Sequence, residues 1–136
     1  MKKPRTVAAA LGAALALVGV IGVAAPAQAA TSNCPSGYVC VWGDENFKTD
    51  GTDSGLVKFY YYIPNYGGYN YEGKSINAND TISSIYNHGN TETAYMYEHA
   101  NKAGFLFSIP KGNSNSNLYW VGYNDKISSG YFASYN

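Results

Sequence analysis

Asn79-Asp80-Thr81-Ile82-Ser83-Ser84 returns 45 positions later as Asn124-Asp125-Lys126-Ile127-Ser128-Ser129, with five letters of six unchanged. An internal repeat decides the architecture before any local reading does. Outward from the two boxes the likeness continues. Tyr86 and Tyr131 follow them, and Val39-Cys40-Val41-Trp42 aligns with Ala94-Tyr95-Met96-Tyr97 at an offset of 55. Phe59-Tyr60-Tyr61-Tyr62-Ile63-Pro64 aligns with Phe105-Leu106-Phe107-Ser108-Ile109-Pro110 at an offset of 46, which places nine extra residues in the first copy between Trp42 and Phe59. The chain therefore reads as two homologous halves, about 34–88 and 89–136. A solenoid needs about three copies or more, so two units packed face to face are expected.

Residues 1–29 read as a secretory signal peptide. Met1-Lys2-Lys3-Pro4-Arg5 is basic, Val7 to Ala25 is an apolar run, and Ala27-Gln28-Ala29 has the small-x-small form of a cleavage site. A 19-residue run could also just span a bilayer. The cleavage pattern, and the lack of a basic stop-transfer segment behind it, favour a secreted, extracellular protein with no membrane attachment after cleavage. The remaining domain, 30–136, carries six basic and nine acidic side chains. With no basic patch, a nucleic-acid partner is not expected. In a secreted chain Cys34 and Cys40 are expected to form a disulfide, with Pro35-Ser36-Gly37 supplying the turn between them.

Aromatic and β-branched residues abound, and Gly, Asn and Ser interrupt them every 6–12 residues, the pattern of many short strands. Strands are expected at Tyr38–Trp42, Val57–Ile63, Ile82–Tyr86, Thr93–Tyr97, Phe105–Ile109, Leu118–Val121 and Ile127–Phe132. A hairpin whose tip ends at Gly104 should join two of them. The loops at Asn65–Tyr71 and Lys111–Asn117 read as flexible connections. Most of the 14 tyrosines should cap a thin core, but Tyr66, Tyr69 and Tyr71, set among glycines, are expected at the surface.

The doubled box N/D-N/D-x-x-S/T-S, with a hairpin aromatic followed seven residues on by glycine (Tyr97 to Gly104), resembles the βγ-crystallin Greek-key repeat. The opening Cys34-Pro35-Ser36-Gly37-Tyr38-Val39-Cys40-Val41-Trp42 is similar to the secreted peptidase inhibitors of family I36, which share that fold and include inhibitors of metalloproteinases. The resemblance implies an all-β sandwich of two Greek keys. It also implies calcium, at up to two weak sites. One would draw on Asp80, Ser83 and the Thr81 carbonyl, the other on Asp125, Ser128 and the Lys126 carbonyl. The Glu98 and Gly43 carbonyls of the opposite halves would complete them. Ile82 and Ile127 would point into the core, and Ser84 and Ser129 would brace the loops. Hard oxygen donors of this kind suit calcium; the same turns could equally satisfy their own backbone without metal.

Enzymatic readings find no support. His88 and His99 lack a metal-binding motif, no G-x-S-x-G elbow occurs, and the adjacent Asp44 and Glu45 diverge instead of flanking a glycosidic bond. A monomeric, non-enzymatic inhibitor of a secreted protease is expected. Its contact loop would lie at Asp50-Gly51-Thr52-Asp53, with Tyr66 and Tyr69 second, although such loops can also be plain solvated turns. A calcium-binding structural protein without inhibitory activity, or a small secreted toxin on the same scaffold, would fit the sequence too.

Overall fold

The computed structural model describes residues 33–51 and 55–136. The signal peptide expected at 1–29, and Thr52 and Asp53 of the expected contact loop, lie outside them.

Eight antiparallel strands make two four-stranded sheets: β1 (Val39–Trp42), β2 (Leu56–Phe59), β3 (Tyr62–Ile63), β4 (Ser84–Asn87), β5 (Ala94–Tyr97), β6 (Phe105–Ile109), β7 (Ser114–Asn115) and β8 (Ser129–Phe132). One sheet runs β2-β1-β4-β7, the other β3-β8-β5-β6. Each half thus keeps three strands in its own sheet and lends its third strand to the other half's. This is a sandwich of two Greek keys, with no α-helix among the described residues. No helix there is long and apolar enough to cross a membrane.

Alternation builds the core. Val39 and Val41 of β1 point inward to meet Ile82, Ile85, Met96 and Ile127. The other face of β1 turns Cys40 and Trp42 toward Cys34, Phe47 and Leu56 in a small second cluster. The expected Cys34–Cys40 disulfide is present, with Cα atoms 5.8 Å apart. Ile82 and Ile127 are fully buried, as the repeat implies. Buried Asn87 is satisfied from three sides: its amide donates to the Glu92 and Ile109 carbonyls, and its oxygen accepts from the Gly89 N–H.

The third strands depart most from expectation. The chain leaves the first sheet after Phe59, so the expected strand Val57–Ile63 splits, and Tyr62-Ile63 pairs with Tyr131 and Gly130 across the sandwich. Ser114-Asn115, in an expected loop, pairs with Tyr86 and Ile85 in the same manner. The alignment of Phe59–Pro64 with Phe105–Pro110 therefore fails. Val39 faces Phe59 as Ala94 faces Ile109, so alternating aromatics imitated homology where the frame differs. Leu118–Val121 is a 3-10 turn, not a strand: the Asn117 side chain accepts from the Tyr119 N–H, and Gly122 closes it at φ +79°. Tyr66–Gly68 is the matching turn, capped by Asn65. Its first residue packs inward just as Leu118 does, so Tyr66 is fully buried, and Tyr71 nearly so. The surface position expected for both was wrong, and only Tyr69 is exposed. Glycine marks the turn but does not decide which way the aromatic faces.

The hairpin between β5 and β6 has the expected folded-over tip. Asn101 and Lys102 have left-handed φ of +58° and +67°, and Gly104 follows at +68°. The counterpart positions Asn46 and Phe47 repeat this at +59° and +57°.

Closing the short ring between Cys34 and Cys40 stabilises the fold by about 2–2.5 kcal/mol on chain entropy. Urea unfolding of the Cys34→Ala/Cys40→Ala variant should show that loss with an unchanged two-state transition.

Candidate functional site

The two boxes lie against each other. In each, the aspartate takes the left-handed backbone region, φ +53° at Asp80 and +55° at Asp125, which short polar side chains tolerate better than most. The preceding asparagine donates from Nδ2 to the aspartate's Oδ2 at 2.7 Å in both copies. The boxes then exchange backbone bonds: Asp80 N–H donates to the Ile127 carbonyl at 3.2 Å, and Asp125 N–H to the Ile82 carbonyl at 3.1 Å.

The last serine of each box pins a hairpin tip. Ser84 Oγ donates to the Asp44 carbonyl at 2.7 Å and accepts from Phe47 N–H at 3.1 Å. Ser129 Oγ donates to the His99 carbonyl at 2.7 Å and accepts from Lys102 N–H at 3.4 Å. These are the bracing roles expected of both serines. The fifth positions anchor by backbone, Ser83 N–H to the Trp42 carbonyl at 2.8 Å and Ser128 N–H to the Tyr97 carbonyl at 2.9 Å. Gly43 thereby sits beside Ser83, and Glu98 beside Ser128.

The expected grouping of donors within a box needs correction. Ser128 Oγ donates to Asp80 Oδ1 at 2.9 Å, 48 positions away in sequence. Asp80 therefore meets the hydroxyl of the other box, on the side where Glu98 enters. The bond from Asp125 N–H to Ile82 places Asp125 beside Ser83 and Gly43. Thr81 uses its hydroxyl locally, donating to the Asn77 carbonyl and bonding to the Tyr71 phenol, each at 3.0 Å. The donor set at each corner is thus one carboxylate, one hydroxyl and nearby carbonyls, all oxygen, which suits calcium far better than a thiophilic metal. Lys126 is exposed.

Charge points the same way. Partial burial, and then the negative charge of Asp80, push the Asp125 carboxyl above its usual range, against the lowering effect of its bond from Asn124. Burial is the larger cause, and a cation close by would offset it by favouring the charged carboxylate.

Of the expected contact loop, Asp50 is exposed, and the Gly51 carbonyl accepts from Lys74 Nζ at 3.1 Å. Among the described residues the most exposed apolar stretch lies elsewhere, at Tyr119, Trp120 and Val121, 68, 79 and 49% exposed. The sequence pattern predicts a strand at this turn. Its signal was Asn117 placed five residues before Gly122, a capped turn too short to hide its middle residues. Beside it Asp44, Glu45, Ser83, Asn117 and Asn124 line an open recess of about 340 Å³.

Residues 27–109 match the model of peptidase inhibitor family I36. The chain belongs to that family. As an I36 inhibitor it has a peptidase for a partner and is not an enzyme. Solved βγ-crystallin structures have the same fold. One, described for the evolution of the eye lens βγ-crystallin domain fold, is 20% identical, with a TM-score of 0.57 over 73% of this chain and 88% of its own. The βγ-crystallin of Ciona intestinalis is 18% identical (TM-score 0.54; 71% of this chain, 99% of that one). An archaeal βγ-crystallin is 23% identical (TM-score 0.51; 72% and 99%). No curated protein matches the inhibitor.

Replacing Ser84 or Ser129 by alanine leaves a partly buried carbonyl and an amide without a partner. Each variant should lose about 1–3 kcal/mol in urea unfolding, whereas Lys126→Ala, at an exposed site, should change stability by under about 0.5 kcal/mol. For Asp125 the sign follows from its raised carboxyl: the folded chain holds that proton more tightly than the unfolded one, so its contribution falls as pH rises through the carboxylate range. Without added metal, Asp125→Asn should melt no lower than the parent near neutral pH, and its melting point should fall less on going from acid to neutral.

Proposed function

We propose that the protein is a secreted, monomeric inhibitor of extracellular peptidases, metalloproteinases foremost, whose scaffold calcium braces at the two boxes. The observation that carries this reading is the family match over residues 27–109. The basic start, apolar run and Ala27-Gln28-Ala29 of the leader support secretion, as does a disulfide at home in an oxidising compartment.

An inhibitor gains affinity from a surface ordered before it binds. The Tyr119-Trp120-Val121 turn has this property. Leu118 anchors it in the core, Asn117 and Gly122 cap its ends, and the Asn117 amide is bonded to the Glu45 carboxylate. The first half supplies an internal control, since its matching turn carries Gly67 and Gly68 after Tyr66. The fold needs no bulk at that place, yet the second half presents an aromatic pair of the types that dominate binding hot spots. The turn lies past the family-matched stretch, residues 27–109. Calcium is supported by the approach of Asp80 to Ser128 and by the unfavourable charge on Asp125. With one carboxylate at each corner, affinity should be on the order of 10⁻⁵ to 10⁻³ M.

A panel of thermolysin-like and serine peptidases tests the reading. Slowing of a metallopeptidase at micromolar protein is expected; an unaffected panel would overturn it. Trp120→Ala should weaken that inhibition at least tenfold at an unchanged melting point. Millimolar calcium should raise the parent's melting temperature, and Asp80→Ala should abolish most of the rise. A parent indifferent to calcium would reduce both corners to turns.

A further inference from the structure

Six tyrosine rings touch in one continuous array that starts at Tyr131, just past the second box, and runs away from it. Tyr38 meets Tyr60 at 5.3 Å, Tyr60 meets Tyr61 at 4.7 Å, and Tyr61 meets Tyr135 at 5.1 Å between ring centroids. Tyr135 leads to Tyr62 at 5.6 Å, and Tyr62 stacks on Tyr131 at 5.5 Å with 11° between planes. A core would hide such rings, but Tyr60, Tyr61, Tyr62 and Tyr135 remain 45, 53, 47 and 40% exposed. Gly37 makes room for this: a Cβ there would stand 2.9 Å from Tyr60 Cε2.

Tyr60, Tyr61 and Tyr135 wall a recess of about 220 Å³ whose polar side is Asn90, Glu92 and Ser134. The only charge among its lining residues is the Glu92 carboxylate. Its Oε1 takes both the N–H and the hydroxyl of Ser134, which fixes the group beside the rings. Among the described residues, Oε2 takes no hydrogen bond. Electron-rich rings beside a fixed carboxylate can attract an organic cation by two effects, the ring quadrupole and direct charge. The ring part of this attraction is present at the far end of the array, where Lys102 Nζ lies over the Tyr131 ring, 4.8 Å from its centroid. No lysine or arginine of the described chain lines the recess at the near end.

We propose that the Tyr60–Tyr61–Tyr135 recess, with Glu92 at its edge, is a binding site for a lysine side chain of a partner polypeptide. The site repeats the Lys102–Tyr131 contact with a carboxylate added. It stands apart from the inhibitor reading, because neither the Trp120 turn nor the boxes contribute a residue to it.

The test is a proton NMR titration of the whole secreted chain with Nα-acetyl-lysine N-methylamide, set against the same probe acetylated at Nε. The charged probe should shift the ring protons of Tyr60, Tyr61 and Tyr135 in a saturable way, at least five times more than the neutral probe. Raising the salt concentration should weaken the effect. Glu92→Gln keeps an acceptor for Ser134 and should weaken binding severalfold with the spectrum otherwise unchanged. Tyr135→Ala, a change at an exposed ring, should do the same if Glu92→Gln perturbs the fold. Equal shifts from the two probes, shifts spread evenly over all tyrosines, or a Glu92→Gln protein that titrates like the parent would each overturn the proposal.

Discussion

Two backbone bonds, from Asp80 to the Ile127 carbonyl and from Asp125 to the Ile82 carbonyl, hold the halves of this molecule in register. They are short reciprocal ties between turns that on their own would be unremarkable solvent loops. Each needs the left-handed backbone that aspartate accepts at modest cost, and each places an isoleucine directly beneath, where both are fully buried. Polar exchange above and apolar burial below thus act on the same residues. The serines that follow carry the constraint outward to both hairpin tips, at residues 40 and 30 positions away in sequence.

That constraint also explains the chemistry of the corner. Because the boxes cross, a carboxylate from one half approaches a hydroxyl from the other, and burial, with the charge of Asp80 adding to it, raises the Asp125 carboxyl. A turn that served only itself would keep its donors within six residues. Instead the donors are shared across 48 positions, so the corner exists only in the assembled fold. A cation bound there would hold the two halves together, which is how a weak ion can matter to a small domain.

Much of this was legible in the letters. The repeated box, the hairpin ending at Gly104 and the short disulfide ring depend on local spacing, and each appears where spacing puts it. What escaped the sequence depends on non-local geometry. A two-residue strand such as Ser114-Asn115 has no periodicity to read, and the exchange of third strands leaves no trace in composition. Tyr66 shows the limit well. Its glycine neighbours signal a turn, but only the equivalence with Leu118 reveals that the turn points its first side chain into the core. Ser128 shows the same limit: proximity in sequence pairs it with Asp125, whereas in space its hydroxyl meets Asp80.

The exchange of third strands has a bearing on life beside peptidases. Once β3 lies in the second half's sheet and β7 in the first half's, the chain is laced, and neither half can be lifted away by opening one connection. A cut in the hairpin between Trp42 and Leu56 leaves those residues paired and the third strands still threaded through. For a protein meant to meet proteolytic enzymes, nicking without falling apart is an asset that no single contact could provide.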